Sequence, residues 1–291
     1  MKKFPRYEGQ VLPDKLNTYR DTFTNDTNLL EQLKEAKKKN TTVYAYCYSS
    51  DTKTGTAYLE FLEGSLITGY IPREEITYLL EQEGKVHVGR SNGCVDNLIG
   101  VKILDIEEND DKIAVKCSRK KVVEAVMNKY NKDIESGVFK EGMLVKGIVT
   151  GMDFNKVYID IGGDVTAILG VADIARVYVR EPSDLIEHGE VLDLVVKKAY
   201  AHPIKVSLSR EMLLQGWESI DSKFKVGRIV PGIIKNTMPT GIFIELSESF
   251  EGIAEEIPTW KKLKYGDRVK VHILHIDKKR EKIKLRIIKN Y

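Results

Sequence analysis

The sequence predicts a mainly β protein built as three tandem five-stranded barrels, joined by short helical connectors and preceded by one helix. Three observations carry this prediction. The run Phe139-Lys140-Glu141-Gly142-Met143-Leu144-Val145-Lys146-Gly147-Ile148 recurs as Phe224-Lys225-Val226-Gly227-Arg228-Ile229-Val230-Pro231-Gly232-Ile233, displaced by 85 positions. A fixed displacement defines the repeating unit before any single motif is weighed. Val157-Tyr158-Ile159-Asp160-Ile161 and Ile242-Phe243-Ile244-Glu245-Leu246 keep the same displacement, and Ala57-Tyr58-Leu59-Glu60-Phe61 fits the pattern upstream. The closing runs also agree, Ile113-Ala114-Val115-Lys116-Cys117-Ser118-Arg119 with Ile204-Lys205-Val206-Ser207-Leu208-Ser209-Arg210, and Lys282-Ile283-Lys284-Leu285-Arg286 at the end. Each unit is a series of short β-branched runs punctuated by Gly, Asp and Asn, as five short strands require. Closing them into a barrel removes the free edges that so much strand would otherwise expose.

The elements follow in order. Residues 1–40 form an N-terminal segment in which Leu29, Leu30, Leu33 and Ala36 mark an amphipathic helix, with Asn25, Asp26 or Thr27 as its N-cap. The first two dozen residues show no period and are expected to be loose. The first barrel covers 41–119, a helical linker 120–138, the second barrel 139–210, a shorter linker 211–223 and the third barrel 224–291. In the first linker Val123, Val126, Tyr130 and Ile134 recur at helical spacing before Gly137, a left-handed stop. In the second, Met212, Leu213, Leu214 and Trp217 make an apolar patch expected to pack on a neighbouring barrel.

Composition excludes several classes. No apolar run approaches the roughly 20 residues a bilayer-spanning helix needs, and Met1 to Arg6 has positive charge with no apolar stretch behind it, so a cytoplasmic location without membrane contact is expected. Cys47, Cys94 and Cys117 have no CxxC spacing, which fits inert reduced thiols and supports neither metal nor cofactor. Phosphate-loop, zinc-protease, hydrolase-elbow and dinucleotide motifs are missing, so an enzyme is not expected. His272 and His275 form an HxxH, but an odd spacing on a strand sends them to opposite faces, and His87, His188 and His202 stand apart.

The charge balance of 46 basic against 43 acidic residues hides a gradient. Residues 42–119 hold 8 basic and 13 acidic side chains, residues 141–210 hold 8 and 10, and residues 224–291 hold 15 and 8. The last barrel is therefore the cationic one, with clusters at Lys261-Lys262-Leu263-Lys264, Arg268-Val269-Lys270 and Lys278 to Arg286 that a polyanion would feel. Tyr58, Tyr158 and Phe243 occupy equivalent strand positions, on the face opposite Leu59, Ile159 and Ile244, and so point out of their barrels beside Glu60, Asp160 and Glu245. Exposed rings of this kind stack unpaired bases while cations track phosphates; the plainer alternative is that they cover the barrel surface or pack on a connector. Phe154 is a second candidate ring, replaced by Thr240 and Gly55 in the other units.

The GxxVxGI opening, the acid-containing second strand, Gly69-Tyr70-Ile71-Pro72-Arg73-Glu74-Glu75 and the Ser-Arg closures together resemble the S1 RNA-binding domain of bacterial ribosomal protein S1, over about residues 40–290. Leu208-Ser209-Arg210 to Trp217-Glu218, followed by Phe224-Lys225-Val226-Gly227, and Gly241 to Glu255 further resemble the short, three-domain S1-like proteins of Gram-positive anaerobes. The resemblance implies three S1-type OB-fold barrels that bind single-stranded RNA, mRNA foremost, in association with the small ribosomal subunit. It places the main RNA-facing aromatic at Tyr58, Tyr158 and Phe243, the acidic position at Asp277 and Glu107, and the basic position at Lys116, Lys205 and Lys282 or Lys284. The family's histidine is replaced by Gly170 and Glu255. The acidic first barrel would then dock on a protein partner such as the small subunit, and the alternative reading is a non-ribosomal RNA-binding or protein-docking adaptor in RNA decay or regulation.

Overall fold

Three closed barrels hold all the strands of the computed structural model, which describes residues 4–16, 28–77, 89–109, 112–255 and 263–290. The first comprises β1 (Val43–Ser50), β2 (Ala57–Glu60), β3 (Ile67–Ile71), β4 (Asn97–Asn109) and β5 (Lys112–Ser118). The second comprises β6 (Leu144–Asp153), β7 (Lys156–Asp160), β8 (Thr166–Gly170), β9 (Val191–Tyr200) and β10 (Lys205–Ser209). The third comprises β11 (Ile229–Met238), β12 (Gly241–Ser247), β13 (Phe250–Ala254), β14 (Arg268–Asp277) and β15 (Lys282–Asn290). Around each barrel the order is first-second-third-fifth-fourth, with the third and fifth strands parallel. The first strand of each carries a bulge at an equivalent place, between Cys47 and Ser49, Val149 and Gly151, and Ile234 and Asn236. A bulge bends its strand, so the first strand can pair with the fourth at one end and the second at the other.

Alternation fills the cores. Leu59, Ile159 and Ile244 are fully enclosed, as are their neighbours Ile71, Leu169 and Ala254 on the third strands. Helix α1 (Leu29–Lys39) buries Leu29, Leu33 and Ala36 against the first barrel; its N-cap position is Asn28, and Asn25, Asp26 and Thr27 lie outside the described residues. Helix α2 (Lys120–Glu135) buries Val123, Val126 and Tyr130, and Gly137 (φ 71°) ends it by donating its N–H to the Ile134 carbonyl. In the second connector Trp217 meets Phe250 of the third barrel edge-on at 5.6 Å, and Leu214 packs against the second core.

Two expectations are corrected. Residues 4–16 are a packed strap. Tyr7 is buried against Tyr130 and Phe139, its hydroxyl donates to Asp133, and Lys129 bonds both Tyr7 and the Gly9 carbonyl. Arg6 bridges in parallel to Leu144, and Gln10 holds the Lys146 N–H and the Lys146 and Ile161 carbonyls. At Gly162 (φ 107°) a Cβ would fall 1.7 Å from the Val11 carbonyl oxygen, so the strap needs glycine there. Periodicity missed the strap because its one regular element is the single 3-10 turn Asp14–Leu16; aromatic packing and single polar contacts hold the rest. The second correction concerns the histidine pair. A register shift between Ile273 and His275 adds a residue, so His272 faces Arg286 and His275 faces Lys284, two positions that share the outer face of β15. Among the described residues no cluster of metal-ligating side chains forms there or elsewhere.

A repeated joint sets the barrels against one another. Arg119 and Arg210, each following the closing strand, donate their backbone N–H to Glu75 and Asp173 carbonyls of their own barrels. Their guanidinium groups then cross to the next barrel. Arg119 reaches Asp164 at 2.7 Å and Asp14 of the strap at 2.6 Å, while Arg210 reaches Glu248 at 2.8 Å. Burial alone would disfavour the Arg119 charge; Asp14 and Asp164 override that and hold its pKa well above the ordinary value. The third barrel closes with Leu285-Arg286-Ile287, where buried Ile287 stands in the arginine's place.

Candidate nucleic-acid interface

Register aligns one outward residue on each of three adjacent strands in every barrel. In the first, Tyr58 pairs with Tyr70 and Tyr70 with Lys116. In the second, Tyr158 pairs with Ile168 and Ile168 with Ser207. In the third, Phe243 pairs with Ile253 and Ile253 with Lys284. These residues are partly or well exposed, whereas their sequence neighbours Leu59, Ile159, Ile244, Val115, Val206 and Ile283 are interior. Alternation therefore sets three similar faces, each centred on a ring.

The faces differ in what surrounds the ring. On the first barrel Tyr48 lies 6.4 Å from Tyr58, and Tyr70 donates its hydroxyl to Glu107, so three tyrosines cluster among carboxylates. Partial burial and the Glu107 charge both raise the Tyr70 pKa and keep that proton on. On the second barrel Tyr158 donates to Asp153 at 2.8 Å and has Lys156 over its ring at 5.2 Å. Phe154, in the turn beside it, is 80% exposed. Lys205 is exposed and pairs with Tyr200, itself 55% exposed, a ring that the sequence repeat did not single out. On the third barrel Lys284 has an ion pair with Glu255, His275 lies opposite Lys284, and Lys282 lies opposite Asp277.

Ser207 and Lys284 fill corresponding positions, so Lys205 corresponds to Lys282, one outward step along the strand. In the first barrel that step is Ala114, which faces Glu107, and Glu107, Tyr200 and Asp277 thus correspond. The Asp277 carboxylate accepts the backbone N–H groups of Arg280 and Lys279, which hold its pKa below the ordinary carboxylate range. It is thereby engaged in its own turn. Lys261 and Lys262 of the basic clusters lie outside the described residues.

Two of the acids that share the ring face are withdrawn from it. Glu245 is buried with Lys235, which sits in the β11 bulge 2.9 Å away. Asp160 is pushed up to about 6 by burial, against the lowering effect of the Gly162 N–H it accepts, and lies near Asp164 and Asp14 of the joint. Glu60 accepts the Gly64 N–H at 3.0 Å. Tyr70 was legible in the sequence, because Ile67, Gly69 and Ile71 face inward and leave it outward. Tyr200 emerges only from cross-strand register.

Three five-stranded barrels of this topology, each with a ring-bearing second-third-fifth strand face, define the chain as a tandem OB-type array. Comparison with known proteins gives the kinship. Residues 223–288, which span the third barrel, match the S1 RNA binding domain. It is 29% identical over 237 residues to small ribosomal subunit protein bS1 of Pseudomonas aeruginosa, covering 78% of this chain and 39% of that protein. It is 25% identical over 230 residues to the bS1 homolog of Bacillus cereus, covering 76% of this chain and 57% of that protein. The chain thus spans between about two-fifths and three-fifths of these two relatives. A solved multidomain protein with nucleic acid binding domains from Streptococcus pneumoniae aligns over 86% of this chain and 74% of its own at 11% identity, with a TM-score of 0.23. None of the helices among the described residues is long and apolar enough to cross a membrane.

Proposed function

We propose that the chain binds single-stranded RNA, mRNA foremost, along the ring-bearing faces of its three barrels, and that it serves translation at the small ribosomal subunit. The observation that carries this reading is the shared register of Tyr58, Tyr158 and Phe243, outward on equivalent strands. Aromatic faces stack bases of any identity, and cations beside them track the backbone. Lys205, Lys282 and Lys284 supply such cations. The third barrel contributes most attraction, since residues 224–291 hold 15 basic against 8 acidic side chains. The first barrel offers its tyrosines among carboxylates, which suits weak stacking and contact with a cationic protein surface of the subunit. The names of the relatives support the ribosomal part of the reading. No chemical step is required: strands captured as they open stay unpaired, and linked sites supply avidity that one barrel lacks.

The test titrates a fluorescent single-stranded RNA against the whole chain and against a Tyr58→Ala, Tyr158→Ala, Phe243→Ala triple variant, with cosedimentation on small subunits at low and high salt. The proposal expects large loss of RNA binding in the variant and salt-sensitive cosedimentation. Unchanged RNA affinity would show the rings to be wall residues, and absence from the subunit at low salt would remove the ribosomal role.

A further inference from the structure

The strap groove of the second barrel has a counterpart on the third. Residues 4–10 lie along the edge of β6 ahead of its pairing with β7. Leu144 donates its N–H to the Pro5 carbonyl and accepts from the Tyr7 N–H, both at about the 2.8–2.9 Å of ordinary bonds. Gln10 then fills the slot between Lys146 and Ile161. The 85-residue displacement maps Leu144 to Ile229, Lys146 to Pro231 and Ile161 to Leu246. On the third barrel this slot is an open groove of about 460 Å³, lined by Pro231, Gly232, Ile233, Glu245, Leu246 and Arg268. Ile229 and Val226 beside it are each 58% exposed. Among the described residues no segment lies along it.

We infer that this groove on the third barrel docks an extended acidic segment of a partner protein, laid parallel to β11 as residues 4–10 are laid parallel to β6. Register gives the hydrogen bonding: Ile229 pairs with His272 as Leu144 pairs with Val195, which turns the Ile229 N–H and C=O to the open edge. Pro231 lacks the N–H that Lys146 gives to Gln10, so an incoming side chain can meet there only the Pro231 and Leu246 carbonyls and must be a donor. Charge gives the occupant. The strap's Arg6 pairs with Asp193, which sits opposite Lys146; the residue opposite Pro231 is Lys270, and Arg268 lines the groove. An arginine that suits the second barrel would be repelled by the third, which disfavours this chain's own Arg6-bearing strap from a second copy and calls for a carboxylate at that position. Length is bounded as well. Ser247 stands where Gly162 lets the strap pass, so the docked segment leaves the groove at the position of Gln10. Strand-edge bonds with apolar side contacts favour a peptide, and among the described residues no aromatic ring lines the groove to stack a base.

The probe is a labelled seven-residue peptide of residues 4–10 carrying Arg6→Glu and Tyr7→Val, the second change because Trp217 and Phe250 already pack the core end of the third barrel. Fluorescence anisotropy with the whole chain should show saturable binding, at least about tenfold tighter than for the same peptide with Arg6 retained. Ile229→Lys should weaken it about tenfold, and Arg268→Glu should reverse the preference between the two peptides, while RNA affinity of Ile229→Lys stays at the parent value. No binding, or binding indifferent to both substitutions, overturns the inference. Displacement of the peptide by single-stranded RNA, with RNA affinity lost in Ile229→Lys, would make the groove an RNA surface and overturn it equally.

Discussion

Replacing Arg119 by methionine should loosen the first joint far more than the matching change at Arg210. Arg119 gives four hydrogen bonds to carboxylates, to Asp14 at 2.9 and 2.6 Å and to Asp164 at 2.9 and 2.7 Å. Its side chain is 11% exposed and that of Asp164 10%. Methionine would take the guanidinium away from the buried Asp164 carboxylate, which also accepts from the Thr77 hydroxyl. Breaking a buried pair by removing one partner costs about 3–5 kcal/mol. Asp14 is 27% exposed and can regain water, which argues for the lower end, about 3 kcal/mol. At the second joint the Glu248 side chain is 38% exposed, so Arg210→Met should cost about 1 kcal/mol. Urea unfolding followed by circular dichroism gives both values, with small-angle scattering reporting whether the barrels separate. Since three barrels need not unfold as one unit, the transition assigned to the first two is the one compared. A cost below about 0.5 kcal/mol for Arg119→Met, or equal costs at the two positions, would refute the reasoning.

Single Phe243→Ala or Tyr158→Ala changes should each weaken RNA binding by about 1–3 kcal/mol, the worth of one base stack, read by anisotropy. Lys282→Glu together with Lys284→Glu should lower affinity and flatten its dependence on salt, measured as the slope of log affinity against log salt concentration. Asp160, with a folded pKa near 6 above its unfolded value, binds extra protons in the folded state between about pH 4 and 6, so its contribution falls as pH rises through that window. Asp160→Asn should therefore stabilise the chain at pH 7, on the order of 2 kcal/mol, and flatten the pH profile of urea midpoints between about pH 4 and 6. Tyr7→Ala should destabilise the second barrel by about 3–5 kcal/mol through the cavity left between Tyr130 and Phe139, read as a lowered midpoint of its thermal transition.

The barrels were legible because strand alternation and turn residues are local, and because the repeat gave each unit an independent copy of its pattern. The outward setting of Tyr58, Tyr158 and Phe243 followed from the same alternation. What escaped depends on contacts far apart in the chain. Gln10 meets Lys146 and Ile161 across more than a hundred residues, and nothing in its neighbours announces a partner. The bulge before His275 reverses an argument from spacing, since one extra residue changes which face a side chain takes. Glu245 shares a face with Phe243 yet is covered, because Lys235 occupies a bulge that the pattern does not mark. Nor does sequence show that one oxygen of Asp277, Oδ1, already accepts the N–H groups of its own turn.

The strap also sets an order of events during synthesis. Tyr7 and Gln10 leave the ribosome before any residue of the barrel they complete, and Leu144, Lys146 and Ile161 follow more than 130 residues later. The first barrel has all its own strands by Ser118 and can close while the strap is still waiting. Until the second barrel forms, Tyr7 has no core to enter, and a cut near residue 138 would leave the later half without the side chains that Phe139 packs against. The earliest part of the described chain to be made is thus among the last to be seated.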